Sequence, residues 1–89
     1  EAMVQAGIQM GLSAEQAKQL TLATFAGTTA LALASTESLT TLREQVTSKG
    51  GTTYAAITSM QADHIDQAIG KALKAAAARA KELGELLHG

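Results

Sequence analysis

The chain has 89 residues and a formal net charge of −1, from seven basic and eight acidic side chains. A charge this close to zero produces no long-range field for a nucleic acid backbone, so we expect no nucleic-acid partner. The sequence contains no cysteine, which excludes a disulfide framework, a thiolate zinc site and a cysteine nucleophile, and which agrees with a reducing, cytoplasmic location.

The apolar content consists mostly of small and aliphatic side chains. Hydrophobic residues make up 46% of the chain, but aromatic residues only 2%. A short chain of this composition buries little area by itself, so it needs contacts with further helices, which a second copy can provide. We therefore expect residues 1–89 to be one helical domain that forms a homodimer. Because a helical pattern is already under way at Glu1, we also expect the chain to be part of a longer protein.

Hydrophobic periodicity predicts an all-α fold of about five helices. The predicted helices cover about residues 1–10, 14–34, 39–46, 52–61 and 64–83, and Gly11 is the expected stop of the first. Ser13 and Gln16 have the spacing of a capping box at the start of the second helix. For the last helix, Asp63 is the expected N-cap and Gly84 marks the expected end.

The second predicted helix is apolar on nearly all sides beyond Leu22. Its apolar run is too short for a membrane span and is interrupted by threonines, so no membrane partner is expected. A helix of this kind must be covered on all sides, and a chain of 89 residues can hardly do that alone. The pattern is a second argument for a partner subunit.

A glycine turn separates the third and fourth predicted helices. Gly50 and Gly51 allow positive φ angles and a close approach of a ligand to the main chain. A helix that begins at Thr52 or Thr53 presents unpaired N–H groups and the positive end of its dipole at this turn. Together with the nearby hydroxyl groups, residues 48–53 therefore form a predicted anion-binding cradle.

Simpler interpretations stand beside this one. Gly50 and Gly51 are also a common helix stop, and Thr52 an ordinary N-cap. His64 lies between two aspartates, Asp63 and Asp66, but these near-neighbours at a helix start are better explained by capping and exposure than by a metal site. No metal is expected.

The region around the turn resembles the signature of the pyrroline-5-carboxylate reductases. The matching residues, in the order and spacing of that signature, are Leu39, Leu42, Val46, Thr47, Ser48, Gly50, Gly51, Thr53, Ala56, Ile57, Met60 and Gln61. One residue departs from it, since the family usually has proline where this chain has Lys49. Proline has no N–H to offer a ligand, so the change concerns the stiffness of the loop more than its chemistry.

The resemblance implies a fold and an activity. It implies the C-terminal helical dimerisation domain of the family, of the type also found in 6-phosphogluconate dehydrogenase. The intact enzymes reduce Δ1-pyrroline-5-carboxylate to L-proline with NADPH or NADH, the last step of proline biosynthesis. An N-terminal Rossmann domain, absent from this chain, holds the nucleotide, so the chain alone is expected to be inactive. The helical domain is implied to form homodimers, in some members built into decamers.

The resemblance also implies roles for individual residues. Ser48, Gly51 and Thr52 are implied to hold the substrate carboxylate through the hydroxyl and main-chain N–H groups, with Gly50 in the same loop. The Thr53 hydroxyl is implied to reach the ring nitrogen, where it orients the ring and relays a proton. Thr53 is therefore the candidate catalytic residue.

Two rival functions are weighed against this one. The helical domain of another NAD(P)-dependent dehydrogenase, such as the 3-hydroxyacid group, would use a catalytic Lys followed one turn later by Asn, and this chain contains no Asn. A helical homodimerisation module without a catalytic role would use the glycines only to stop a helix.

Overall fold

The computed structural model describes residues 1–88, and the side chains of residues 1–87. In this part of the chain there are five helices and no strands, which confirms the all-α prediction. The helices are α1 (Ala2–Gln9), α2 (Ala14–Ala34), α3 (Leu39–Gln45), α4 (Thr52–Ala62) and α5 (Ile65–His88). The chain divides into two compact units: the first is Glu1–Gln45, and the second begins at Val46 and contains α4 and α5.

In the first unit, a tight connection joins α1 to α2. Gly11 follows α1 with a φ of 108°, and its N–H donates to the carbonyl oxygen of Ile8, while the N–H of Leu12 donates to that of Gly7. This pair of bonds is the Schellman arrangement, which satisfies carbonyl groups at the end of a helix. The chain therefore leaves α1 at the glycine that the sequence predicts as its stop.

A capping box starts α2 immediately afterwards. The Ser13 hydroxyl accepts from the N–H of Gln16 at 3.1 Å, and the Gln16 side chain accepts from the N–H of Ser13 at 3.1 Å. Two otherwise unpaired donors are thus satisfied, as the Ser13–Gln16 spacing predicts. The prediction of this helix start is confirmed.

Only one hydrophobic residue is buried in the described part of the chain. That residue is Ala17, which is 2% exposed and faces Gly7 of α1. The large apolar side chains of α2 are exposed: Leu20, Leu22, Phe25, Leu31 and Leu33. The burial expected for α2 is therefore not provided within a single chain. None of the helices in residues 1–88 is long and apolar enough to cross a membrane.

The predicted N-cap and the predicted end of α5 are wrong, whereas its start at Ile65 lies one residue from the prediction. Asp63 is the C-cap of α4, because its N–H donates to the Ser59 carbonyl oxygen. His64 instead precedes α5, with a φ of 53° and a carbonyl oxygen that accepts from the N–H of Ala68. At the other end, Gly84 lies inside α5, which continues to His88. A single glycine costs only about 1 kcal/mol relative to alanine, and strong helix formers on both sides of Gly84 offset this cost.

Candidate anion-binding site at the start of α4

A β-turn over residues 48–51 leads the chain into α4. The N–H of Gly51 donates to the carbonyl oxygen of Ser48 at 2.9 Å, and Gly50 has a φ of 80°. Lys49 has no positive φ, since His64 is the one non-glycine residue with such an angle among residues 1–88. A turn with positive φ at its third residue only is a type II turn. Lys49 thus holds the second position of this turn, where proline is favoured.

The helix that follows begins with open donors. Gly51 is the N-cap of α4, with φ −83° and ψ 175°, and no side chain caps this end. The first bond of the helix runs from the N–H of Ala55 to the Gly51 carbonyl oxygen at 3.0 Å. The N–H groups of Thr52, Thr53 and Tyr54 precede that bond and have no partner within the helix. They lie at the positive end of the helix dipole, which favours an anion.

Three residues with aliphatic hydroxyl groups belong to the same turn and helix start. Ser48 and Thr52 are exposed, whereas Thr53 is half-buried. The Ser48 hydroxyl lies against the main chain of Gly51, because a Cβ built on Gly51 would be 2.5 Å from the Ser48 Oγ. A hydroxyl can donate to an anion, so Ser48 adds a side-chain donor next to the N-cap of α4.

The segment that contains the turn and α4, residues 46–62, carries only positive charge. In residues 46–62, Lys49 is the one charged residue, and its side chain is exposed. No carboxylate of the same segment therefore opposes an anion at the start of α4. The positive dipole end and the Lys49 ammonium act in the same direction.

The structure brings the predicted site residues together in one continuous turn and helix start. Ser48, Gly50, Gly51, Thr52 and Thr53 all lie within it. The Gly51 N–H closes the turn, which leaves the N–H groups of α4 as the open main-chain donors. The roles of these residues toward a substrate remain predictions.

One donor was missed by the sequence analysis. The N–H of Tyr54 stands third in α4 and is open like the N–H groups of the two threonines. The signal that could have found it is the helix start at Thr52, because the first residues of any helix lack an intrahelical acceptor.

The described residues do not fit a metal or a dinucleotide. Residues 1–87 contain no group of three His, Cys, Asp or Glu side chains that could hold a metal ion. They also contain no strand, so they lack the strand–helix–strand unit whose glycine-rich turn binds the pyrophosphate of a nicotinamide nucleotide. Within the described residues, the start of α4 offers main-chain donors to a small anion.

Comparison with known proteins finds one matching family and several relatives that carry the same name. The family described as pyrroline-5-carboxylate reductase dimerisation matches residues 1–83. The chain is 46% identical over 87 residues to pyrroline-5-carboxylate reductase of Pseudomonas aeruginosa, with 98% of this chain and 32% of that protein covered. It is 38% identical over 89 residues to pyrroline-5-carboxylate reductase 2 of Bacillus subtilis, with 100% and 32% covered.

A fungal relative is more distant. Pyrroline-5-carboxylate reductase of Kluyveromyces lactis is 31% identical over 85 residues, with 96% of this chain and 30% of that protein covered. The chain thus spans about a third of the length of the curated relatives that it matches.

Proposed function

The chain belongs to the pyrroline-5-carboxylate reductase dimerisation family, and we propose that it is the helical substrate-binding and dimerisation part of a longer enzyme of that activity. This enzyme reduces Δ1-pyrroline-5-carboxylate to L-proline in the cytoplasm, as a step of proline biosynthesis. Residues 1–89 alone are inactive in this proposal, because the nucleotide-binding Rossmann domain precedes them in the longer protein.

One observation carries the proposal: the start of α4 presents open main-chain donors beside the Ser48 hydroxyl. A carboxylate accepts several hydrogen bonds at once and is stabilised at the positive end of a helix. The N–H groups of Thr52 and Thr53 lie at that end without an intrahelical partner. The substrate carries one carboxylate on a small ring, and this cradle suits a group of that size and charge.

Thr53 acts on the ring nitrogen of the substrate, which is bonded to the carbon that carries the carboxylate. A carboxylate held by the Ser48 hydroxyl and the N–H groups of Thr52 and Thr53 places the ring over the first turn of α4, where the Thr53 hydroxyl donates to the ring nitrogen. Reduction of the imine carbon requires the ring at one distance and angle, and requires a proton on the nitrogen. Because a threonine hydroxyl is a weak acid, its main role is to orient the ring, and it relays the proton as a second role.

The nicotinamide nucleotide belongs to a different part of the enzyme. Residues 1–88 have no strand on which to build its binding site. In this proposal the hydride comes from NADPH or NADH held by the Rossmann domain. The residues of this chain bind and orient the substrate, and Thr53 relays the proton.

The exposed apolar surface supports a homodimer. Phe25, Leu31 and Leu33 of α2 are 59%, 59% and 83% exposed. On α5 two large apolar side chains are also open, with Ile69 57% and Leu73 67% exposed. Apolar surface of this extent on two helices marks an interface. A second copy of the same chain covers it, and decamers are a higher assembly of such dimers.

The test of the proposed function is an assay of the full-length protein that contains this chain. We expect it to oxidise NADPH or NADH when Δ1-pyrroline-5-carboxylate is added. L-Proline should inhibit competitively with respect to this substrate, whereas prolinamide, which lacks the carboxylate, should inhibit at least about tenfold more weakly. Equal inhibition by the two compounds would contradict carboxylate binding, and a lack of activity with both nucleotides would contradict the reaction.

A further inference from the structure

The two glycines of the turn are present for different physical reasons. Gly50 has a φ of 80°, and a Cβ on it would meet nothing within 4 Å. Gly51 has a φ of −83°, a conformation that any residue adopts. The backbone angle therefore explains glycine at position 50 but does not explain it at position 51.

Space explains glycine at position 51. A Cβ there would lie 2.5 Å from the Ser48 Oγ and 3.2 Å from the Ser48 carbonyl oxygen. By contrast, a Cβ on Gly27, Gly70 or Gly84 would meet nothing within 4 Å. The Ser48 hydroxyl occupies the volume that the Cβ of any other residue at position 51 would take.

From this geometry we infer that Gly51 is a positioning residue, which leaves the room that the Ser48 hydroxyl needs beside the start of α4 and so sets the affinity for the substrate carboxylate. Its own N–H is engaged with the Ser48 carbonyl oxygen at 2.9 Å, so the missing Cβ is its contribution to the site. The inference rests on the proposed function, because it takes the Ser48 hydroxyl as a donor to the carboxylate of Δ1-pyrroline-5-carboxylate.

The expected effect of Gly51→Ala is a displaced hydroxyl in a folded protein. The Ser48 Oγ is the end of a short side chain with three staggered positions, so it can rotate away from the new methyl group. The contact with the Ser48 carbonyl oxygen needs a shift of only a few tenths of an ångström. We expect KM for Δ1-pyrroline-5-carboxylate to rise about tenfold, with kcat changed less than about twofold.

A double-mutant cycle in the full-length protein tests the inference. KM and kcat are measured for the wild type, Ser48→Ala, Gly51→Ala and the double variant, with Gly70→Ala as a matched control outside the cradle. If Gly51 acts through the Ser48 hydroxyl, Gly51→Ala should add less than about twofold to KM once that hydroxyl has been removed. Gly70→Ala should leave KM unchanged.

Three results would overturn the inference in an active enzyme. The first is the same KM increase from Gly51→Ala with and without the Ser48 hydroxyl. The second is no KM increase from Gly51→Ala, and the third is no KM increase from Ser48→Ala. If Gly51→Ala does not fold, KM of Ser48→Ala is compared with KM of the double variant, because the 2.5 Å contact is absent from both. A KM that is more than about twofold higher in the double variant would then overturn the inference. A wild type that does not reduce the substrate would instead refute the proposed function, and the inference with it.

Discussion

The N–H of Gly51 donates to the carbonyl oxygen of Ser48 at 2.9 Å, and this bond closes the turn that delivers the chain to α4. It also determines which donors are left for a ligand, because the open N–H groups are then those of the helix itself. The turn and the helix start therefore form one unit, and changes in the turn should affect the cradle through its conformation.

Lys49→Pro should stabilise the turn. Lys49 stands at the second position of a type II turn, where proline already has the required φ. Proline at a compatible position stabilises by about 0.4–1 kcal/mol, chiefly through the unfolded chain. Hydrogen–deuterium exchange of the peptide that carries the Gly51 N–H should slow by about two- to fivefold. Lys49→Ala, which removes the charge without fixing φ, is the control, and faster exchange in the proline variant would contradict the turn assignment.

Gly50→Ala should have the opposite effect. A residue with a Cβ costs about 1–2 kcal/mol in the left-handed region that Gly50 occupies at φ 80°. Exchange at the same peptide should accelerate by about tenfold, and KM should rise as the turn loosens. Gly70→Ala, inside α5 with open space around it, should not accelerate exchange at this peptide. Unchanged exchange in Gly50→Ala would show that the turn does not need glycine.

The contact between α1 and α2 predicts a size-swap experiment. A Cβ on Gly7 would lie 3.1 Å from the Ala17 Cβ and 3.7 Å from its Cα, atoms that cannot rotate away. Gly7→Ala should therefore lower the melting temperature, since overpacking costs about 1–3 kcal/mol. The double variant with Ala17→Gly should recover most of the loss. A Gly7→Ala variant as stable as the wild type, measured by thermal unfolding, would show that the two helices separate easily.

The exposed face of α2 predicts the oligomeric state. Analytical ultracentrifugation of the full-length protein should show a dimer or a multiple of it, and Phe25→Glu should weaken this association. The reason is that an unpaired carboxylate is costly to bury in an apolar interface. Gln19→Glu, on the same helix at an exposed polar position, is the control and should leave the assembly intact. A monomer at micromolar concentration in the wild type would contradict the proposed homodimer.

Sequence patterns predicted the helices well where local chemistry decides their ends. The Ser13–Gln16 capping box and the stop at Gly11 depend on residues that are neighbours in the chain, and the structure confirms both. The start of α5 was misjudged because Asp63 and His64 can each occupy the junction. A left-handed histidine is uncommon enough that the pattern favours the aspartate as the cap.

The separate roles of the two glycines and the surface that covers α2 could not be predicted from residue spacing, because they depend on three-dimensional geometry. That Gly51 is needed for space and Gly50 for its φ follows only from the position of the Ser48 hydroxyl. The apolar sides of α2 predict that it needs cover beyond a single chain, and in residues 1–87 a single chain buries only Ala17 among its hydrophobic residues. A hydrophobic pattern shows that a helix face must be buried, but it does not show whether the same chain or a partner subunit buries it.

The central claim is that the first turn of α4 orients a cyclic imine for reduction, and Thr53 tests it most directly. NADPH or NADH oxidation by the full-length protein with Δ1-pyrroline-5-carboxylate should be compared for the wild type, Thr53→Ala and Thr53→Ser. We expect Thr53→Ala to lower kcat by at least about tenfold, beyond any change in KM, and Thr53→Ser to retain most of the activity because it keeps the hydroxyl. An unchanged kcat in Thr53→Ala would remove this residue from the mechanism and contradict the account.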